Sequence, residues 1–288
     1  MIDLHTHTTA SDGRLPPAEL VALASAAGLR VLGLTDHDTM AACAEAASAC
    51  AAAGIEFVPG IEVTAARDGV DVHMLGYFLD AASPVLVALL REQRARRLDR
   101  IRTIVARLAA QGIELDADAI LRPALDDGAK AAGRPWVARA LVAGGHAAST
   151  AEAFDRWLAE GRPAFVPRVG PSPQEVIERV HEAGGIVSLA HPGLLRRDGW
   201  IAEMAGAGLD AIEAYHSDHD PPLTAKYLAL AAELRLAVSG GSDYHGDGRE
   251  RRALGATPLP PGCYDELKAR WRLRAARRAT ASGADTSS

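Results

Sequence analysis

Short apolar strands alternate with Ala-rich helices at both ends of this chain, and that alternation restricts the fold more than any other feature. Ile2–Leu4, Val31–Thr35, the paired pieces Ile55–Val58 and Ile61–Thr64 around Pro59-Gly60, and Asp71–Phe78 read as strands. Between them Pro16–Ala27, with proline in its first turn, and Met40–Ala53, ended by Gly54, read as helices. The rhythm returns later, with strands at Gly185–Leu189, Asp210–Tyr215 and Leu236–Ser239 and helices at Pro173–Ala183, Gly199–Ala207 and Pro222–Leu234. Such alternation predicts parallel strands with helices packed outside them. About seven core strands suit a barrel better than a small sandwich.

The middle of the chain has another texture. Val85–Gln111 reads as one long Arg-rich amphipathic helix, followed by helices at Arg134–Ala143 and Ser149–Glu160, with a strand only at Ala164–Pro167. The expected organisation is therefore a barrel formed by 1–83 and 166–288, with 84–165 as a helical insertion that serves as a substrate-binding subdomain. A basic helix is expected around Asp265–Arg278, and the small polar end Ala279–Ser288 is expected to be disordered.

Composition narrows the function class. The net charge of −6 excludes a basic nucleic-acid binder of the whole-molecule kind, so any contact with a polyanion must come from a local patch. Cys43, Cys50 and Cys263 form no CxxC pair, which argues for a reducing compartment and against a thiolate zinc site. No apolar run approaches the roughly 20 residues that span a bilayer. A cytoplasmic enzyme with no membrane contact and no obligate protein partner is the simplest expectation.

Metal-type side chains sit at the ends of the strands. Leu4-His5-Thr6-His7 is followed by Asp12-Gly13; Thr35-Asp36-His37-Asp38 closes the second strand; Glu62 and His73 lie on the next two. His191-Pro192-Gly193 and Ser242-Asp243-Tyr244-His245 end two later strands. Taken singly, each has an ordinary reading: a pair of strand histidines, a turn, helix caps at Asp36 and Asp38, an exposed strand glutamate. In a parallel barrel, however, all strand C-termini open on one face, so these tips converge although they span some 240 residues of sequence. Residues two apart on a strand share a face, so His5 and His7 can reach one ion, as can Asp243 and His245.

In order and content these segments resemble the PHP (polymerase and histidinol phosphatase) domain, whose motifs run HxH, TDH, a Glu, HPG and SDxH; the likeness covers roughly 1–80 and 166–255. The resemblance implies an α/β fold, a distorted seven-stranded (β/α)7 PHP-type barrel related to the amidohydrolases, with a two- or three-metal site. Carried over by motif, the ligands are His5, His7, Asp12, His37, Glu62, His73, His191, Asp243 and His245. Glu62 would bridge two ions, with His5, His7 and Asp243 on one and His73 and His191 on the other; Asp12, His37 and His245 would hold a third. Imidazole and carboxylate donors without thiolate suit Mn²⁺, Zn²⁺ or Fe²⁺, with Mg²⁺ a further option. The family favours Mn²⁺. A pair of such ions lowers the pKa of a shared water and presents hydroxide to a phosphate ester.

Substrate candidates follow. Arg134 opens a helix after Gly133, where a guanidinium and free backbone N–H groups meet, and Lys130 lies one turn earlier. The segment Gly133–Ala138 is similar to one in the PHP branch of nucleotide phosphatases and a short-RNA exonuclease. Arg197 follows the His-Pro-Gly loop, and His216 ends a strand at the same mouth, where it would orient substrate or protonate the leaving oxygen beside the catalytic Glu62 and Asp243. Arg91, Arg94, Arg97 and Arg100, spaced by three, read as a solvated basic face. The expected activity is removal of the 3′-phosphate from a 3′,5′-bisphosphonucleotide. The rivals are a 5′→3′ exonuclease on short oligoribonucleotides, a histidinol phosphate phosphatase, a C–N hydrolase on the same barrel, and a non-catalytic metal-binding module.

Overall fold

The computed structural model describes residues 1–284 apart from 129, 247 and 249. Seven strands form one sheet in chain order: β1 Ile2–Asp3, β2 Val31–Leu34, β3 Glu56–Arg67, β4 Val70–Tyr77, β5 Ile186–Leu189, β6 Ala211–His216 and β7 Ala237–Gly241. The sheet curls back on itself. The Leu4 N–H donates to the Gly240 carbonyl and the His7 N–H to that of Tyr244, which brings the first and last strands together. Helices α1 Pro17–Ala26 and α2 Cys43–Ala53 cover the first strands. α3 Pro84–Ala109, α4 Ala117–Asp126, α5 Arg134–Ala143 and α6 Thr150–Ala153 follow β4. α7 Pro173–Glu182, α8 Pro192–Leu195, α9 Gly199–Gly206, α10 Pro221–Leu234 and α11 Pro261–Ala284 complete the α-helices among the described residues, and a π-helical turn, Phe154–Leu158, continues α6. The architecture is the mixed α/β, seven-stranded PHP-type barrel.

The strands are not all parallel. β4 runs antiparallel to both β3 and β5, whereas β1–β2–β3 and β5–β6–β7 are parallel. The two-residue turn Asp68-Gly69, both at positive φ, is the reason, because it folds β3 straight back on itself as a hairpin. The two strand pieces expected around Pro59-Gly60 are one continuous strand. The strand expected at Ala164–Pro167 is absent: the carbonyls of Phe165 and Val166 accept from Arg107 and Arg100 instead of from a neighbouring strand. Helix α4 was not expected. Asp116 caps it by accepting from the N–H groups of Asp118 and Ala119, and Pro123 inside it hides it from a pattern search. α11 continues beyond Arg278 to Ala284, so the disorder expected from Ala279 is replaced by helix that far; 285–288 lie outside the described residues.

Period-two alternation sorts each strand into two faces. Val63 and Ala65 of β3, Val72 and Met74 of β4, and Ile212 and Ala214 of β6 pack outward against the helices. Val58, Leu75, Tyr77, Ile186, Ala211 and Ala237 fill the interior, closed from below by Leu259, Tyr264 and Leu267. Followed towards the mouth, the same inward faces turn polar: Val58 gives way to Glu62, Leu75 to His73, and Ala211 to Glu213. The apolar floor thus holds a polar upper layer in place. Helix α3 joins this barrel to the helical segment. Its Leu86 and Leu89 belong to the barrel core, while its Ile101, Ile104, Val105 and Leu108 belong to a separate core shared with α4, α5 and α6.

Candidate metal centre

Glu62 lies at the middle of the barrel mouth, and five imidazoles face it. Its Oε2 is 3.3 Å from His5 Nε2, 3.3 Å from His7 Nε2 and 3.0 Å from His37 Nδ1, and its Oε1 is 2.6 Å from His73 Nδ1 and 3.1 Å from His191 Nε2. Asp243 Oδ1 stands 3.4 Å from His5 Nε2, 3.2 Å from His7 Nε2 and 3.4 Å from His245 Nδ1. Asp12 is 3.2 Å from His245 and 3.7 Å from His37. The nine residues read from the strand ends therefore form one connected cluster, and Glu62 is 1% exposed within it. Burial alone would raise the Glu62 carboxyl, but the imidazoles of His37, His73 and His5 hold it well below the ordinary range. Asp243 is likewise held well below its ordinary value, with His245 and His5 outweighing its burial.

The donor set fits divalent ions. His7, Asp12, His37 and His245 bring one donor atom each to within 4.8 Å of one another, and so do His5, Glu62 and His191, His37, Glu62 and His73, and His5, His216 and Asp243. Both ring nitrogens of His7, Nδ1 of His37 and Nδ1 of His73 are buried with no hydrogen-bond partner. Buried lone pairs facing one another without donors are costly, and cations relieve that cost.

A second ring of contacts fixes these side chains. Glu213, fully buried on β6, accepts from His5 Nδ1 at 2.9 Å and from the His191 N–H at 2.7 Å. Holding the proton on His5 Nδ1 turns the lone pair of Nε2 into the centre, the usual role of a carboxylate behind a metal-binding histidine. Sequence reading missed Glu213; its one signal was a lone carboxylate on the inward face of an otherwise apolar strand. Asp36 accepts from the N–H and hydroxyl of Thr8 and from the Ser11 hydroxyl, which pins the loop that carries Asp12. Gly241 allows the closest approach of two strands, since a Cβ there would stand 2.4 Å from the His5 nitrogen. Asp38, His191 and Asp243 all adopt positive φ, a strained arrangement that their surroundings enforce.

His216 is 1% exposed. Its Nδ1 accepts from the Asp218 N–H at 3.1 Å, so in the neutral ring Nε2 carries the proton, 3.5 Å from Asp243 Oδ2. The structure thus sets it behind Asp243. Arg252 also reaches Asp243 Oδ2, at 2.8 Å. The Arg197 guanidinium lies 5.9 Å from the Trp200 ring centre. His181, read as structural, pairs with Asp210 at 2.7 Å on the far side of the barrel.

Above the centre lies a cavity of about 150 Å³, lined by Asp12, His37 and His73 below and by Arg97, Arg134 and Arg168 above. Here the solvated basic face expected on α3 is corrected at Arg97 and Arg100, whereas Arg91 is exposed as expected. Arg97 is 7% exposed, donates from Nε to Asp38 Oδ2 at 2.6 Å and from a terminal nitrogen to the Ala132 carbonyl, while Arg100 pairs with Asp71 at 3.6 Å. Arg168, which sequence reading did not single out, lies 3.5 Å from Asp38 and 3.6 Å from Asp71, and Arg134 lies 3.4 Å from Asp71. Four guanidinium groups thus share two carboxylates. Burial and the neighbouring guanidinium of Arg97 depress Arg168 to about 10. Arg168 Nε and one terminal nitrogen of Arg100 are buried without a hydrogen-bond partner. Lys130 lies outside this cavity, on an adjoining groove.

Residues 3–121 match the PHP domain family. The chain is 36% identical over 280 residues to the 3′,5′-nucleoside bisphosphate phosphatase of Chromobacterium violaceum, covering 93% of this chain and 97% of that one. It is 34% identical over 250 residues to a 5′-3′ exoribonuclease of Escherichia coli, covering 84% of each. A crystal structure from Bifidobacterium adolescentis, assigned as a metal-dependent phosphoesterase, superposes with a TM-score of 0.84 at 34% identity, over 93% of this chain and 96% of that one. No described helix is long and apolar enough to cross a membrane. With the histidine–carboxylate cluster at its barrel mouth and this likeness over nearly its whole length, the chain belongs to the PHP family of metal-dependent phosphoesterases.

Proposed function

We propose that the chain hydrolyses the 3′-phosphate of a 3′,5′-bisphosphonucleotide such as adenosine 3′,5′-bisphosphate, giving the nucleoside 5′-monophosphate and phosphate, with Mn²⁺ as the metal. One observation carries this reading: a cavity with surplus positive charge opens directly onto the metal-ligand cluster. A substrate that fills both needs two phosphates a nucleoside apart. The 3′-phosphate lies over the cluster, and the 5′-phosphate meets Arg134, Arg168 and the N-terminus of α5, where Gly133 provides no side-chain cap to compete for the backbone N–H groups. The similarity to a 3′,5′-nucleoside bisphosphate phosphatase supports the same substrate.

His5, His7, Glu62 and Asp243, His73 and His191 with Glu62, and Asp12, His37 and His245 are the residues that would hold the ions. When bound, two or three divalent ions supply Lewis acidity, which polarises the phosphoryl oxygens and lowers the pKa of water at the centre. The protein's own share is positional. Glu213 orients His5, His216 and Arg252 orient Asp243, and the arginines hold the substrate's far phosphate so that its 3′-ester lies in line for attack. Water adds to phosphorus, the bond to O3′ breaks, and O3′ leaves as the hydroxyl.

The test is phosphate release from bisphosphonucleotides, 5′-phosphorylated dinucleotides and histidinol phosphate with added Mn²⁺. A preference for the bisphosphonucleotide is expected; a preference for histidinol phosphate would reject the substrate.

A further inference from the structure

Two phosphates and the ribose between them leave the base of a 3′,5′-bisphosphonucleotide unplaced. The cavity over the metal centre measures about 150 Å³, whereas sites that enclose a small molecule run to roughly 300–1,000 Å³. It has room for a phosphate with part of a sugar, so the base lies against a bordering surface. A base exposes two flat π-faces, which are best desolvated against another flat ring. Besides the imidazoles of the metal centre, the only aromatic ring that lines this cavity, among the described residues, is Phe154.

Phe154 opens the π-helical turn, and its carbonyl accepts from the Ala159 N–H five residues on, at 2.9 Å. Such turns widen a helix locally and recur at functional sites. Here Ala153 and Leu158, five apart, are both fully buried in the helical core, while Phe154 between them is only half-buried. Two phenyl rings lie against one guanidinium: Arg134 is 5.8 Å from the ring centre of Phe154 and 6.0 Å from that of Phe165. Phe154 lines the cavity and Phe165 does not. Phe165 can therefore act only by supporting Arg134, whereas Phe154 also has a surface that substrate can reach. Arg134 stands at the N-terminus of α5, where the 5′-phosphate is placed, and Phe154 reaches the same cavity from a different element. A base joined to that phosphate through one ribose falls within reach of the ring.

Resting on the reading of the site given above, we propose that the nucleobase stacks on Phe154 while the 5′-phosphate meets Arg134. Phe154 is then a specificity-determining residue: it separates nucleoside bisphosphates from sugar bisphosphates that carry the same two phosphates and no base.

The experiment measures phosphate release with Mn²⁺ from adenosine 3′,5′-bisphosphate and from its baseless counterpart, methyl ribofuranoside 3,5-bisphosphate. Wild type, Phe154→Leu, Phe154→Trp and Phe165→Leu are compared. For the nucleotide, kcat/KM is expected to fall roughly tenfold in Phe154→Leu, mainly through KM, because a stacking face is lost. On the baseless substrate the same variant should stay within about twofold of wild type, so the preference for a base collapses. Phe154→Trp restores a flat face and should restore the preference, which decides the matter even where the leucine variant is poorly folded. Phe165→Leu should change both substrates by one common factor. Equal losses on the two substrates in Phe154→Leu with no preference regained in Phe154→Trp, or no loss on the nucleotide, overturn the stacking assignment. Wild type that cleaves both substrates equally well also overturns it while leaving the proposed function standing. Wild type inactive on the bisphosphonucleotide overturns both.

Discussion

Two buried clusters of charge face each other across one small cavity, and they are opposite in kind. The lower one, at the strand ends, is rich in lone pairs: carboxylates and imidazoles converge with too few donors among them. The upper one, where α3, α5 and the segment around Arg168 meet, is rich in donors: Arg97, Arg100, Arg134 and Arg168 share Asp38 and Asp71. Neither is electrostatically complete. One calls for cations and the other for an anion, so a phosphate ester between them serves both once metal is present. The difference also shows how each cluster is held. The lower is bound to strand backbone by the barrel; the upper hangs on long side chains pinned by two carboxylates.

The largest effect should come from breaking the lower cluster. Asp243→Asn is expected to reduce kcat on the order of a thousandfold, measured with saturating Mn²⁺, because a ligand common to several imidazoles is lost. Activity within tenfold of wild type would remove Asp243 from the centre. Glu213→Gln, which leaves the metal-facing atoms intact but frees the His5 ring, should cost about 10–100-fold in metal affinity or activity. Titration of Mn²⁺ into the stripped protein measures it, and an unchanged midpoint with unchanged activity would show that His5 needs no orienting carboxylate.

Breaking the upper cluster should have a different signature. Arg168→Gln is expected to raise KM for the bisphosphonucleotide roughly 10–100-fold, with bound metal unchanged by elemental analysis. A loss of metal instead would mean that the two clusters are not separable. Arg97→Leu strands Asp38 as a buried charge and should lower unfolding stability by about 3–5 kcal/mol in a denaturant titration; no loss would show that Arg168 alone satisfies Asp38.

The smallest effect calibrates the rest. Asp210, on the opposite side of the barrel, is held below its ordinary value of 3.8, because His181, the Val187 N–H and Arg274 outweigh its burial. Its contribution to stability is therefore complete above pH 3.8 and is lost as pH falls through its lower folded value. Asp210→Asn should flatten the acid limb of the stability curve and leave activity at neutral pH unchanged. A steeper acid limb would reverse the sign.

Much of the lower cluster was legible in the sequence, because strand-end residues of a barrel need no knowledge of packing to be placed together. His5 and His7 were adjacent in register, and each later tip followed a recognisable apolar strand. The upper cluster was largely illegible. Arg97 and Arg100 look like any other arginines on an amphipathic helix, and only the fold brings Asp38 and Asp71 to them from elsewhere in the chain. Arg168 lay beside a stretch misread as a strand, whose carbonyls in fact serve Arg100 and Arg107. Glu213 was hidden in the same way, by a partner 208 residues away. The reversed direction of β4 was written in Asp68-Gly69, a hairpin signal that the strand–helix rhythm overshadowed.

Helix α3 is a single rod of 26 residues, about 39 Å long, rooted in the barrel core at Leu86 and in the helical core at Ile104, with Gln93 and Arg97 at the level of the cavity between. It acts as a ruler. The distance from strand tips to arginines is set by a count of residues on one unbroken helix, so it changes only in steps of about 1.5 Å and 100°. Adding one residue between Gln93 and Ile101 would rotate the helical core out of register, whereas adding a whole turn would lift the arginines away from the centre and match them to a longer spacing between phosphates.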